Sequence, residues 1–139
     1  MKYFVILCVA FWSQTVFTQS CDLTISIPNL KSQTGEIQIG VYNKKETFPK
    51  VDEQFRVIFI DIRNFTGTYT IKDLPAGEYA VALMHDENSD RICNTNLLGI
   101  PKEGYGFSNN IRPVLSAPSF SECKIDLNRN MSITIKLIY

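Results

Sequence analysis

The side chains best suited to chemistry lie together in one short polar segment. Directly after His85, Asp or Asn side chains stand at positions 86, 88 and 90, and a further one stands at position 94. These residues are Asp86, Asn88, Asp90 and Asn94, with the Ile92 carbonyl between the last two. They match positions 1, 3, 5, 7 and 9 of a calcium loop of the D-x-[DN]-x-[DN]-G type. The pattern predicts a weak calcium-binding loop over residues 86–97.

Two positions of this loop depart from a strong calcium site. Arg91 stands where the sharp turn favours glycine, and Leu97 stands where a bidentate carboxylate would complete the ligands. With only two clear carboxylates, we expect an affinity of about millimolar. The alternative interpretation is a solvated polar turn held by hydrogen bonds from its Asp and Asn side chains.

Composition narrows the remaining function classes. The chain has 139 residues, of which 45% are hydrophobic, and its formal net charge is zero, so no basic surface for nucleic acid is expected. The single histidine, His85, excludes zinc sites that need two or three imidazoles. We therefore favour a binding or structural module. The alternative is a hydrolase-like enzyme that uses His85 and the loop carboxylates, although a structural imidazole that bonds to the long loop is the preferred interpretation of His85.

The first twenty residues have the layout of a secretory signal peptide. Lys2 precedes an uncharged apolar run over residues 3–12, and polar residues follow at once. The run is too short to span a membrane, which takes about 20 apolar residues. Cleavage after Thr18 or after Ser20 is predicted. We expect a signal peptide over 1–20, a single β-sandwich domain over 21–139, and a secreted, periplasmic or cell-surface location in the cell envelope.

Three cysteines remain after cleavage, which is an odd number for an exported chain. Cys21 is a candidate for lipidation, and only then would the protein associate with a membrane. Cys93 and Cys123 are predicted to form a disulfide. The alternatives are a bridge from Cys21 to either of the other two, with one free thiol left over.

The mature chain is patterned as strands. Alternating apolar and polar residues predict seven strands, at 23–27, 37–42, 55–62, 68–72, 79–84, 124–127 and 131–137. The third is apolar on both faces, which predicts a strand covered on both sides, and residues 128–130 are expected to join the last two strands as a hairpin. The predicted fold is an all-β antiparallel sandwich of about seven strands, immunoglobulin-like or transthyretin-like.

One long ordered loop interrupts this pattern between residues 86 and 110. Loops of that length are commonly functional. Its polar and aromatic side chains give a candidate binding surface made of His85, Asn96, Tyr105, Phe107 and Asn109. The alternative is that the two aromatic rings pin the loop over the edge of the sandwich.

Several strings in the chain resemble the domain-of-unknown-function 2141 family. They are HDEN at 85–88, TNLLGIPKEGYGFSNN at 95–110 and PSF at 118–120, and the resemblance extends over nearly the whole mature chain. It implies a small exported bacterial protein and no particular activity.

The loop start also departs from that family. Members often carry HDENGNGKLDTN, whereas this chain has Ser89, Asp90 and Arg91 in place of Gly, Asn and Gly, and Asn94 in place of Asp. These changes remove the turn glycine and one carboxylate. The LPAGEY string is similar to transthyretin-like and carboxypeptidase-regulatory sandwiches, a likeness of fold alone.

Overall fold

The computed structural model describes residues 19–97 and 101–139, and this part of the chain is mostly β-structure. The strands are β1 (Ser20–Ser26), β2 (Glu36–Tyr42), β3 (Arg56–Asp61), β4 (Thr68–Pro75), β5 (Gly77–Asp86), β6 (Gly104–Phe107), β7 (Ile125–Leu127) and β8 (Met131–Thr134). One short helix, α1, spans Phe120–Cys123, and 3-10 turns span Ile62–Asn64 and Ser108–Asn110.

The strands form two sheets. The smaller sheet has the order β4-β1-β8, and the larger has the order β3-β2-β5-β6 with β7 also paired to β5. Every pair is antiparallel except β1 with β8, which run parallel. The predicted all-β sandwich is confirmed.

Alternation with period two explains why the sheets pack together. In β1 and β2 the inward side chains Leu23, Ile25, Ile37 and Ile39 are completely buried in one apolar core. Successive side chains of a strand point to opposite faces, so each strand gives every second residue to this core. Burying one such side chain stabilises the fold by about 1.5–3 kcal/mol.

Two details of the predicted strands are wrong. The outer face of β3 is open, since Val57 and Phe59 are 42% and 39% exposed, and Phe55, just before the strand, is 43% exposed. The strand lies at the edge of its sheet, and only its inner face meets the core. Residues 128–130 do not form a hairpin, because β7 pairs with β5 and β8 pairs with β1 in the other sheet.

Strand β6 and helix α1 lie in segments where no element was predicted. Glycines 104 and 106 weaken the strand signal of β6, but a Cβ on Gly104 would lie 2.5 Å from the Tyr139 ring. Glycine therefore stands there because another side chain packs directly on the backbone. Helix α1 begins with a capping box in which Ser119 and Glu122 bond to each other's backbone.

Most of the predicted signal peptide, residues 1–18 with Cys8, lies outside the described residues. The next two residues are part of the fold. The Gln19 carbonyl accepts a hydrogen bond from the Ala76 N–H at 2.9 Å, and Ser20 begins β1 opposite Pro75. Within 19–97 and 101–139, no helix combines the length and apolar character needed to cross a membrane.

Candidate functional site

Three acidic residues stand side by side at one end of the larger sheet. Glu36 of β2 lies directly opposite Asp86 of β5. On the other side of β5, His85 pairs with Gly104, and Glu103, the residue before Gly104, lies near enough for the Asp86 charge to raise its pKa. Residues that face each other across an antiparallel pair share a face of the sheet, with their Cβ atoms about 4.5–5.5 Å apart. We call Glu36, Asp86 and Glu103 the acid row.

The polar segment that follows Asp86 folds back over the acid row. The Asp86 carboxylate is fully buried and accepts backbone N–H bonds from Arg91 at 2.6 Å and from Asp90 at 3.3 Å. The Asp90 carboxylate in turn accepts the Ile92 N–H at 2.8 Å. Both carboxylates therefore hold the turn closed through the backbone.

The two asparagines of the turn also point at Asp90. Asn88 and Asn94 donate their side-chain amides to Asp90 Oδ2 at 2.8 and 2.9 Å, and these bonds together with the Ile92 N–H lower the pKa of Asp90. The Asn94 amide also reaches the Ile92 carbonyl at 3.2 Å. All five groups of the predicted calcium loop thus converge in a single turn.

The backbone of the turn has the conformation that favours glycine. Ser89 and Arg91 have φ angles of 59° and 61°, in the left-handed region that residues with a side chain rarely adopt. Gly35 meets the other side of the turn, where a Cβ would lie only 1.9 Å from the Asp86 carbonyl oxygen. The turn therefore adopts its left-handed backbone conformation without glycine, which costs about 1 kcal/mol of folding free energy for each left-handed residue.

Glu103 is the residue of this site that the sequence pattern did not single out. It is 7% exposed, and its buried Oε2 atom has no hydrogen-bond partner. Burial raises the pKa of Glu103, and the Asp86 and Asp90 charges raise it further, while hydrogen bonding from the Asn94 and Glu87 backbone partly offsets this. Only the pairing of Gly104 with His85, which the sequence pattern does not predict, locates Glu103 beside the turn.

Arg91, a basic side chain of the turn, is already engaged. Arg91 forms an ion pair with Glu36 at 2.9 Å, and its guanidinium lies 4.4 Å from the centre of the Phe59 ring. Among the described residues, no ion pair involves Asp86 or Glu103. The acid row is therefore neutralised at one end only.

Acidic side chains alone do not form a metal centre here. Within the described ranges, no three Asp, Glu, His or Cys side chains converge closely enough to hold a metal ion. A cation at this turn would need amide and carbonyl oxygens in addition to carboxylates, which is the mixed oxygen set that calcium accepts.

His85 lies on the opposite face of β5 and is fully buried. Its Nε2 donates to the Thr34 carbonyl at 3.0 Å, and its Nδ1 accepts from the Tyr139 hydroxyl at 2.9 Å. That hydroxyl accepts the Lys31 N–H at 2.9 Å. The imidazole is structural, but its partners are the β1–β2 connection and the C-terminal residue, so the predicted bonding to the long loop is wrong. Both ring nitrogens are occupied, which leaves neither to act as a base.

The other members of the candidate binding surface are not gathered around His85. Asn96 is exposed, and the Asn109 amide donates to two backbone carbonyls beside α1, both at 3.0 Å. Tyr105 and Phe107 are half-buried on β6, and Phe107 packs edge-on against Phe48 with ring centres 6.0 Å apart. These contacts favour the pinning role for Phe107.

A cavity of about 240 Å³ lies on the outer face of the larger sheet, beside the polar turn. Tyr42, Tyr105 and Phe107 contribute its aromatic wall, while Arg91 and Cys93 line it toward the turn. Its lining is mostly apolar, and the acid row lies outside it.

The predicted disulfide between Cys93 and Cys123 is not formed in the structure, and Cys21, Cys93 and Cys123 are all free. Cys93 is exposed in the loop, whereas Cys123 is buried in a small apolar cluster, and this burial raises its pKa to about 11. Cys21 is 1% exposed within the main core, so a lipid on its sulfur would displace that packing.

Comparison with known proteins gives one match. A family model described as an uncharacterized protein conserved in bacteria (DUF2141) matches residues 25–135, which include the acid row and the polar turn. No curated protein and no solved structure matches the chain. Since the model covers most of the sequence, this chain belongs to the DUF2141 family.

Proposed function

We propose that this chain is an exported β-sandwich module of the bacterial cell envelope, with a binding or structural role, and that the loop at 86–97 binds calcium weakly. The observation that carries the proposal is the convergence of five oxygen-bearing groups in one turn beside the buried Asp86. A polar surface turn would satisfy its backbone without burying a carboxylate completely.

Calcium suits this turn better than a smaller ion. Calcium accepts six to eight oxygen ligands in flexible geometry, whereas magnesium demands a near-ideal octahedron. Rotation of the Asn94 amide by half a turn exchanges its Nδ2 and Oδ1 atoms, which would present an oxygen beside Asp90. The Ile92 carbonyl then loses its amide donor and is free to bind a cation.

Thermal unfolding tests the calcium site. At ten times a millimolar dissociation constant, calcium should stabilise the fold by about 1.4 kcal/mol, which is a melting shift of a few degrees. Magnesium at equal concentration controls for ionic strength and should give a much smaller shift. Equal shifts with the two ions, or no shift in both the natural chain and Arg91→Gly, would contradict the site.

Export is tested independently by the mass of the mature chain. Cleavage after Thr18 keeps the Gln19 carbonyl that bonds Ala76 and the Ser20 position that pairs with Pro75. We therefore expect a mature protein that begins at Gln19 and carries no lipid on Cys21. Intact-mass analysis of protein from the envelope decides this, and retention of residues 1–18 or an added diacylglyceryl mass would contradict it.

A further inference from the structure

We propose that the cavity on the outer face of the larger sheet binds a small, uncharged and mostly apolar molecule that contains one or two rings. The inference concerns a part of this face that the proposed calcium site does not use, and it does not depend on that site. The cavity measures about 240 Å³. This volume exceeds the roughly 150 Å³ that accommodates benzene and approaches the range of about 300–1,000 Å³ that is typical of ligand pockets.

The floor of the cavity is the sheet itself, at a point where two small residues meet. Gly40 of β2 pairs with Ala82 of β5, and Ala82 pairs in turn with Phe107 of β6. Their chain neighbours Ile39 and Leu83 are buried in the core, so Gly40 and Ala82 face the outer side. Two small side chains therefore lie next to each other and leave a depression in the surface of the sheet.

Aromatic rings form the walls of the cavity, and other contacts fix their positions. The Tyr42 hydroxyl donates to the Lys50 carbonyl at 3.1 Å, and the Tyr42 ring packs edge-on against Phe48 with ring centres 5.1 Å apart. Phe107 packs against the same Phe48 ring, and Tyr105 packs against Phe107 with ring centres 6.2 Å apart. The protein itself holds these walls in place, which lowers the entropy cost of binding a ligand between them.

The charge of the lining indicates an uncharged ligand. Among the described residues, Arg91 is the only charged residue that lines the cavity, and its Nε atom is paired with Glu36 at 2.9 Å. A charged ligand would lose its water without gaining a counter-ion, which is strongly unfavourable. The Gln38 amide also lines the cavity and can both donate and accept hydrogen bonds, so it suits one hydroxyl or carbonyl group on the ligand.

Fluorescence titration with prodan, an uncharged naphthalene ketone, tests the site. Ala82→Leu puts a larger side chain into the cavity, and Ala76→Leu makes the same change at an exposed position between β4 and β5 as a matched control. We expect saturable binding of one prodan per chain, with an affinity that falls about tenfold or more in Ala82→Leu and stays at the natural value in Ala76→Leu. Uncharged naphthol should displace the probe, whereas anionic naphthalenesulfonate and cationic naphthylmethylammonium should not.

A second readout uses the natural chain alone, so it holds even if Ala82→Leu does not fold. Cys93 lines the cavity, and saturating naphthol should therefore slow the modification of Cys93 by a thiol reagent. The proposal is overturned by modification at an unchanged rate, by equal prodan affinity in Ala82→Leu and the natural chain, or by displacement with the charged naphthalenes. Binding of one probe for every two chains would also overturn it, because the cavity would then belong to a contact between two copies.

Discussion

His85 and Asp86 are neighbours at the end of one strand, and both are completely buried, yet their surroundings differ in kind. His85 faces the inner side of the sheet, where each ring nitrogen has one partner. Asp86 faces the outer side, between two other acidic residues of the acid row. Burial and chain position are therefore matched, and each side chain has two hydrogen bonds, so the difference lies in the charges that surround them.

This difference between His85 and Asp86 distinguishes a structural polar group from a candidate ligand-binding group. A buried group whose partners are all present has no further interaction to make, so its role is to join the elements that it touches. The acid row, in contrast, contains one buried oxygen, Glu103 Oε2, that has no hydrogen-bond partner among the described residues. The following predictions test whether the inner face of β5 is structural and the outer face binds a cation.

The largest effect is expected on the inner face. His85→Ala removes the hydrogen bonds to Thr34 and Tyr139 and leaves a cavity, which should destabilise the fold by about 3 kcal/mol. Tyr139→Phe removes one of these bonds and should cost about 1 kcal/mol. Denaturant unfolding measures both. Calcium affinity should not change in Tyr139→Phe. A clear loss of affinity in this variant would contradict the independence of the two faces of β5.

A smaller effect on stability, but a complete loss of calcium response, is expected on the outer face. Asp86→Ala leaves the Arg91 N–H without its acceptor and removes one of the two acceptors of the Asp90 N–H, which should destabilise the fold by about 2 kcal/mol. Relief of the repulsion from Glu103 reduces this cost. Melting curves with calcium and with chelator should coincide in this variant, and a retained calcium shift would contradict its place as a ligand.

Arg91→Gly should increase the calcium affinity of the polar turn and leave the inner face of β5 unchanged. The φ angle of 61° at Arg91 suits glycine, and the change removes a positive charge beside the cluster. In chelator the stability should change by less than about 1 kcal/mol, because the ion pair between the exposed Arg91 and the half-buried Glu36 is also lost. The calcium-dependent melting shift should grow, which few other mechanisms would produce. A reduced shift would indicate that Arg91 supports the turn.

The last prediction compares the reactivity of the cysteine in the loop with that of the two cysteines in the core. It involves no change in stability. In the native protein a thiol reagent should modify Cys93 quickly, while the buried Cys21 and Cys123 react only after unfolding. Mass mapping of the modified protein distinguishes them. A native protein in which Cys93 does not react would reopen the disulfide that the structure lacks.

Local pattern was sufficient to predict most of the fold and half of the site. The strands with clean alternation, such as β2 and β8, follow from their apolar periodicity, and the ligand spacing from Asp86 to Asn94 follows from residue types. Strand β6 could not be predicted in this way, because its glycines are explained by residues distant in sequence: the Tyr139 ring packs on Gly104, and residues 135–137 pack on Gly106. Glu103 was missed for the same reason, since only the pairing of β5 with β6 brings it near Asp86.

The most direct test of the two-faced account is a calcium titration followed by amide chemical shifts of the ¹⁵N-labelled protein. The account predicts saturable shifts of the amides of Asp90, Arg91 and Asn94 and of the segment around Glu103. It predicts little change at Thr34 and Tyr139, although these lie just across β5. Shifts of equal size on both faces, or none that saturate, would contradict the central claim that the outer face alone is built to take a cation.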